Sequence, residues 1–491
     1  MKIGTKKLSL LLFAAILLSV IVLSLSACGG SDSAAEVTTA DTAAVESSDD
    51  PADTELKDNL PEKDYNGYAF KTYCRSCCPS HKNGLWQESE TGDVVDDSVY
   101  RRNVTLEERF NIVMAETMLS EGEDVSALAN SLLAGDCITD IAIPHFRFLG
   151  DLVLQGLMVD LNELEYLDFD RPWWNKKLID NYSIFGKSYT CYGTVDVDNI
   201  TDVAIILFNK RLAENYCTDN FYDLVLDGSW TIDKMNQIVN TFGEDLNGDG
   251  AVKFEDDLFA FTANAGFMFQ FQVAMDQPTT AINDAGEPEL CINTERMVNI
   301  VNKMYDMVVA YEYSEVSNDI SNAAFIAGRS LFYVDKLSPC ITETFRDMTD
   351  DYGIIPLPKY DEDQDEYLSH ASAHSNLIGV PMINPDFERV GIILEAMASE
   401  GYKTIRPAVY DIALKQKGAR DNDSAAMIDI IMAGRTGDFA DLYDEWGLVY
   451  TLDHLVGRQQ KNTFASFYAS NEAASVKRLK NAVELFKGIT E

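Results

Sequence analysis

GYAFKTY, Gly67 to Tyr73, is a run of apolar and aromatic residues with the length of a β-strand. It begins an alternation of strand-like and helix-like segments that decides the fold class. Further strands are predicted over 111–117 and 140–143, and amphipathic helices over 94–109, 124–134 and 148–157. Strands and helices that alternate at this rhythm form a parallel sheet covered by helices on both faces. The sequence therefore predicts an α/β fold.

Polar residues follow two of these strands at their carboxyl ends, where open α/β sheets bind ligands. Arg75 comes after the first strand, and His145 and Arg147 come after the strand 140–143. We predict that these three side chains contact a ligand. The alternative for His145 and Arg147 is an ordinary helix start with a salt bridge.

The middle of the chain contains a second set of alternating elements. VAIILF, Val203 to Phe208, is predicted as a buried strand, and Thr231 as the N-cap of the helix that follows GSW. A helix, a turn at Gly328 and a strand are predicted in AAFIAGRSLFYVDK, and a short strand over 353–359. From Phe387 onward the pattern is mainly helical.

The N-terminus has the pattern of an export signal. Three lysines precede an apolar run from Leu8 to Leu25, and small residues then lead to Cys28. Leu-Ser-Ala-Cys resembles the lipobox of bacterial lipoproteins, which predicts a signal peptide over 1–27 and a lipid on Cys28. The alternative is a transmembrane anchor. Residues 28–61 are acidic and polar and are predicted to form a disordered tether. We expect a lipid-anchored protein on the outer face of a bacterial, Gram-positive cell membrane.

The overall charge excludes one class of partner. The formal net charge is −41, from 80 acidic and 39 basic residues. Such a chain repels nucleic acid and anionic lipid headgroups, so a polyanion-binding role is not expected. The acidic excess is interpreted as a source of solubility.

The cysteines leave two questions open. Eight remain besides Cys28, and an even number outside the cell permits disulfides without requiring them. Cys74, Cys77, Cys78 and His81 could be drawn as a zinc site, but no second ligand pair with matching spacing follows. Loop thiols or a local disulfide are the preferred interpretation.

DLNGDGAVKFED, Asp245 to Asp256, has the spacing of a twelve-residue calcium loop. The expected ligands are Asp245, Asn247, Asp249, the carbonyl of Ala251, and Asp256. Asp256 is shorter than the usual glutamate, so a weak structural Ca²⁺ site is predicted. The alternative is a solvated acidic turn with no ion.

Several motifs together resemble one family. The lipobox, LFNKRL, GSWTID, AFIAGRSLF and GIIPLPKYDEDQDEY resemble the extracellular solute-binding proteins of bacterial ABC importers. The resemblance is to family 1, the sugar-binding type, in a branch common among clostridial lipoproteins. It implies a monomer with the type II periplasmic-binding-protein fold, in which two α/β lobes, each with a mostly parallel sheet, trap a solute in their cleft. It also implies delivery of that solute to a membrane permease.

Mapped onto this chain, the resemblance places 62–198 plus 356–400 in one lobe and 200–352 plus 401–491 in the other. Asp198 and Asp202 then lie where the chain passes the cleft. Asp335 and Lys336 face them from the second lobe. Trp173, with its neighbour Trp174, and Tyr192 could stack against a sugar ring, although structural packing is the commoner role of such side chains.

Two alternatives remain: an enzyme, namely a secreted glycoside hydrolase, or a carbohydrate-binding cell-surface protein. No Gly-x-Ser-x-Gly or His-Glu-x-x-His motif occurs, and His370 and His374 lie in a loop-like segment without an intervening glutamate. We therefore expect no catalytic residues and no catalytic cofactor.

Overall fold

The first sheet is built from short parallel strands early in the chain. β1 (Tyr68–Phe70) pairs with β3 (Ile112–Met114), and β2 (Thr72–Cys74) lies between β4 (Met118–Leu119) and β5 (Ile141–Ile143). Every one of these pairings is parallel, as predicted. The single strand predicted over 67–73 is divided into β1 and β2.

The computed structural model describes residues 57–76, 83–120, 125–318, 322–345, 347–371, 376–415, 422–444 and 447–490. These residues belong to one compact unit. The predictions for the signal peptide, Cys28, most of the tether, Cys77, Cys78, His81 and His374 lie outside the described residues. None of the described helices is both long and apolar enough to span a membrane.

The second sheet has five strands and mixed direction. Its order is β10 (Ser314–Ser317), β7 (Phe259–Asn264), β11 (Ser330–Lys336), β6 (Ala204–Asn209) and β12 (Tyr352–Ile355). β10, β7 and β11 run parallel to one another, whereas β6 is antiparallel to both β11 and β12. The start of β6 therefore lies at the same edge as the carboxyl ends of β7, β10 and β11.

Helices cover the sheets, and two small ladders complete the fold. β8 (Thr280–Ile282) and β9 (Pro288–Leu290) are antiparallel, and β13 (Ser369–His370) and β14 (Arg435–Thr436) are parallel. The described α-helices are Val94–Phe110, Ser126–Leu133, Phe146–Leu154, Lys176–Tyr182, Asp198–Thr201, Lys210–Tyr216, Phe221–Leu226, Ile232–Val239, Met268–Ala274, Glu295–Val308, Ala323–Ile326, Ser338–Ile341, Phe387–Lys415, Asn422–Ala433, Phe439–Tyr443 and Phe464–Thr490. Four short 3-10 helices (Leu161–Glu163, Ala265–Phe267, Glu343–Phe345, Leu448–Tyr450) and a π-helix (Asp453–Arg458) lie between them.

Local chemistry explains where several elements begin and end. The Thr231 hydroxyl accepts a hydrogen bond from the Lys234 amide at 3.2 Å, which confirms the predicted N-cap. The strand predicted over 353–359 ends at Ile355 because Pro356 and Pro358 lack the amide hydrogen that a ladder needs.

Each sheet has its own hydrophobic core. Ile206, Phe261 and Met304 are buried in the core of the second sheet, and Phe70 and Leu394 in the core of the first. The C-terminal helices divide between the two. Helix Phe387–Lys415 packs on Val94–Phe110, Asn422–Ala433 packs on β12, and Phe439–Tyr443 packs on Phe146–Leu154. The division of the chain between lobes at 198/200 and 352/356 stays a prediction.

Candidate functional site

The carboxyl ends of β2 and β5 carry the residues predicted there. Arg75 follows β2 directly and is fully buried. His145 follows β5, is buried, and stacks on Phe146 with ring centroids 4.8 Å apart. Arg147 lies in the first turn of the helix Phe146–Leu154, and its side chain is outside the described part of the structure.

A buried polar cluster lies where the chain crosses from the first sheet to the second. Asp196 accepts hydrogen bonds from the Asn199 amide and from Asn376 Nδ2, each at 2.7 Å. Asn376 Nδ2 also reaches Asp198 Oδ2 at 3.4 Å, and the Asn376 amide donates to Asn199 Oδ1 at 2.9 Å. Burial, followed by the nearby charge of Asp198, raises the pKa of Asp196 to about 7. Asp198 is among the predicted residues, whereas Asp196, Asn199 and Asn376 are not.

Two arginines lie close to this crossing. The Arg102 guanidinium donates to the Val195 carbonyl at 2.6 Å, and burial lowers its pKa to about 10 although the Asp196 charge opposes this. Burial raises the pKa of the Cys74 thiol. The nearby charge of Arg75 lowers this pKa, whereas the charges of Asp196 and Asp198 raise it further. Arg75, Asp196 and Asp198 therefore all influence the pKa of Cys74, the last residue of β2.

The second sheet contributes an ion pair at its carboxyl edge. Lys336 Nζ lies 2.5 Å from Asp202 Oδ1, and the Asp202 side chain is only 2% exposed. The register explains the pair, because Lys336 is opposite Ala204 and the Leu337 amide donates to the Val203 carbonyl. Strand pairing thus brings together two residues that are 134 positions apart in the sequence.

Asp335 is buried beside this pair. Its Oδ1 accepts from the Lys336 amide at 2.7 Å, and burial raises its pKa. Ligand contact by Asp198, Asp202, Asp335 and Lys336 stays a prediction.

The two tryptophans share one buried acceptor. The indole nitrogens of Trp173 and Trp174 donate to the two oxygens of Glu395, each at 2.8 Å, and both side chains are almost fully buried. Burial raises the pKa of Glu395 to about 7 against the effect of these hydrogen bonds. Tyr192 is also buried, and its hydroxyl donates to the Asn199 carbonyl at 2.8 Å. These contacts hold all three aromatic residues in place, and ligand contact by Trp173 and Tyr192 stays a prediction.

Two cavities flank this region. One, of about 260 Å³, is lined by Trp173, Trp174, Tyr192 and Asn199 together with residues of helices Phe387–Lys415 and Asn422–Ala433. The other, of about 780 Å³, is lined by many carboxylates, including Asp276, Asp361 and Asp438. Neither cavity is lined by Arg75, Asp202 or Lys336.

The calcium-like loop is folded around its own carboxylates. Asp245 accepts from the amides of Gly248 at 2.7 Å and Gly250 at 2.8 Å, and Lys253 Nζ lies 2.5 Å from Asp249 Oδ2. Asp257, which the spacing argument did not select, is fully buried and accepts from the Leu246 and Lys253 amides. The ligand set Asp245, Asn247, Asp249, Ala251 and Asp256 stays a prediction.

Other metal arrangements find no support among the described residues. No group of three or more His, Cys, Asp or Glu side chains is placed there to hold a metal ion. His370 is buried, with Nε2 2.8 Å from Asp441 Oδ2. No disulfide joins any two of the six cysteines that the structure describes.

Comparison with known proteins supports the fold. No protein-family model matches the chain, and no curated protein sequence matches it. UgpB from Mycobacterium tuberculosis in complex with glycerophosphocholine matches with a TM-score of 0.54 and 16% identity, over 85% of this chain and 98% of that chain. UspC from M. tuberculosis matches with a TM-score of 0.54 and 12% identity, over 83% and 100% of the two chains.

A third structure is the maltose/maltodextrin-binding domain MalE from Bdellovibrio bacteriovorus bound to maltotriose. It matches with a TM-score of 0.50 and 12% identity, over 85% of this chain and all of that chain. The chain therefore has the two-lobed α/β fold of type II periplasmic binding proteins. The resemblance to solute-binding proteins is confirmed at the level of the fold.

Proposed function

We propose that the protein is the substrate-binding component of a family 1 ABC importer and that it captures a small carbohydrate between its lobes. The observation that carries this proposal is the placement of buried and partly buried charged groups at the carboxyl edges of both sheets. Arg75 lies at the edge of the first sheet, and the Asp202–Lys336 pair lies at the edge of the second. Open α/β sheets bind their ligands at such edges.

The chemistry of these groups suits sugar hydroxyls. A carboxylate accepts and an ammonium or guanidinium donates charge-assisted hydrogen bonds, which are stronger than neutral ones. The Asp202–Lys336 contact keeps both groups in place before a solute arrives, so less side-chain entropy is lost on binding. Arg102 and Asn376 hold the crossing segment from the side of the first lobe and act as positioning residues.

Closure of the two lobes around the solute would sequester it from water by a hinge motion of the crossing segments. The solute is then released, unaltered, to a membrane permease. Lipidation of Cys28 and the tether 28–61 would keep the protein at the outer face of the membrane, close to that permease. The structural neighbours include a maltose/maltodextrin-binding domain and UgpB in complex with glycerophosphocholine, which supports proposing a binding protein rather than a glycoside hydrolase.

Calorimetric titration of the full chain in detergent with glucose, maltose, maltotriose and xylobiose tests the proposal. Saturable binding of at least one sugar is expected, with affinity reduced at least tenfold in Asp202→Asn and unchanged in Asp249→Asn, which alters an exposed carboxylate. Chromatography of the recovered sugar should show no cleavage. Failure of every sugar to bind, or release of shortened products, would contradict the proposal.

A further inference from the structure

The 260 Å³ cavity differs in charge from the rest of the molecule. Its sixteen lining residues include Arg406, Arg435 and Lys176, which pairs with Asp180 outside the lining, but no aspartate or glutamate, in a chain with 80 acidic residues. A local positive field inside a strongly acidic protein raises the local concentration of anions. The cavity is thus electrostatically suited to a ligand of negative charge.

Arg435 is the buried member of this set. It is 6% exposed, and its two terminal nitrogens donate to the carbonyls of Asn199 and Ile200. In the described part of the chain its Nε has no hydrogen-bond partner, and no ion pair joins it to a carboxylate. A buried guanidinium with an unused donor and no counter-charge is costly unless something else neutralises it.

Arg406 is oriented by aromatic rings. Its guanidinium lies 4.3 Å from the ring centroid of Tyr410 and 5.1 Å from that of Tyr402. Its contact with Asp429, at 3.6 Å, joins two partly exposed side chains, and such surface pairs contribute little. Arg406 can therefore exchange this partner for an anion inside the cavity.

The size of the cavity limits the ligand. A volume of about 260 Å³ is just below the usual range for small-molecule sites, about 300–1,000 Å³, which suits a single sugar ring or a molecule of similar size. Tyr402 and Tyr410 also line the cavity and add aromatic surface to its wall. Bidentate geometry makes arginine the preferred partner of carboxylate and phosphate groups.

We propose that this cavity is a second binding site, for a carboxylate- or phosphate-bearing molecule the size of a monosaccharide. It lies outside the strand-edge cluster, since none of Arg75, Asp202, Lys336 or Asn376 lines it. Tyr192, Asn199 and Ile200 of the crossing region do line it, so an occupant would touch the segment that joins the lobes. The site goes beyond the proposed function because its ligand is an anion and its charged residues, Lys176, Arg406 and Arg435, are not part of the strand-edge cluster.

Calorimetric titration of the full chain in detergent at low salt tests this site with three probes: glucuronate, glucose 6-phosphate and neutral glucose. Saturable binding of one or both anions is expected, with glucose unable to displace them. Which anion binds tells whether the site prefers carboxylate or phosphate. Absence of saturable anion binding, or displacement by glucose, would overturn the proposal.

Variants distinguish anion binding in this cavity from binding in the cleft between the lobes. Arg406→Gln removes a partly exposed side chain, so the fold should survive, and anion binding should weaken at least tenfold. Arg101→Gln is the matched control, because its side chain is 62% exposed and pairs with Glu90 elsewhere. Equal anion affinity in Arg406→Gln and wild type would overturn the proposal. So would loss of anion binding in Asp202→Asn, since the anion would then occupy the cleft.

Discussion

The carboxylates at the crossing between the sheets and those in the loop 245–257 are in opposite environments. Asp196 and Asp202 are almost fully buried, and each has a partner from a distant part of the chain, Asn376 and Lys336 respectively. Asp245 is partly exposed and Asp249 is exposed, and both accept hydrogen bonds from amides of their own loop. The loop has the more recognisable sequence, whereas the crossing has the more demanding physical chemistry.

This difference shows that a recognisable sequence motif need not mark the carboxylates that matter most for stability. An exposed carboxylate keeps its hydration, so its local hydrogen bonds change the free energy of folding little. A buried carboxylate has lost its hydration and needs its partners. The residues at the crossing should therefore tolerate substitution far less than the residues of the loop.

Removing the cation of the buried pair should have the largest effect. Lys336→Ala removes a positive charge beside the buried Asp202 carboxylate, and we expect a loss of about 3–5 kcal/mol in the free energy of unfolding. Lys253→Ala, which removes the partner of exposed Asp249, should cost at most about 1 kcal/mol. Urea denaturation of both variants measures the contrast. Equal losses would remove the distinction between the two regions.

Asp196 should make the stability of the protein depend on pH, and this effect should be the second largest. The folded protein holds the Asp196 proton more tightly than the unfolded chain, because burial raises the pKa from 3.8 to about 7. This carboxyl therefore makes the protein less stable as pH rises between these values, by at most about 4 kcal/mol. Asp196→Asn should remove its share of that slope in denaturation curves at pH 4.5–7.5. Asp249→Asn should leave the slope unchanged. A slope in Asp196→Asn equal to that of wild type would show that burial does not raise the pKa of Asp196.

Glu395, which accepts hydrogen bonds from Trp173 and Trp174, is a third buried carboxylate. Glu395→Gln keeps one oxygen for an indole donor but loses the other, leaving one buried N–H without an acceptor. A cost of about 1–3 kcal/mol is expected. Trp173→Phe should lower the free energy of unfolding less in the Glu395→Gln variant than in wild type, because it removes one of the two indole donors that then compete for a single oxygen. Additive losses would mean that the shared carboxylate does not couple them.

Calcium binding should have the smallest effect on the stability of the protein. If the loop binds calcium in the millimolar range, 5 mM calcium adds about 1 kcal/mol by mass action. A melt in calcium should then show a slightly higher Tm than a melt in EDTA, and Asp245→Asn should abolish the difference. An identical Tm in both buffers would exclude the predicted site.

The sequence predicted the elements of the fold better than the residues of the candidate site. Apolar periodicity and capping residues such as Thr231 act locally, so the strands and helices could be found in one sequence. The mixed direction of the second sheet could not be found in this way, because strand order depends on packing between distant segments. The strand-edge rule selected Arg75, and the family resemblance selected Asp202 and Lys336.

Asp196, Asn376 and Glu395 escaped the sequence argument for a physical reason. Each acquires its role only when segments about 180–220 residues apart meet, as in Asn376 with Asp196 and Glu395 with Trp173. A polar residue in an apolar segment was the one available signal, and Glu395 inside GIILEAMA carries it. Local patterns do not show which acceptor a buried donor will find.

Small-angle X-ray scattering of the full chain in detergent, with and without glucose, maltose, maltotriose or xylobiose, tests most directly whether the lobes close on a solute. The account predicts that the sugar which binds by calorimetry reduces the radius of gyration of the protein, and that Asp202→Asn abolishes the reduction. A radius of gyration that no sugar changes, although binding saturates, would contradict capture between the lobes.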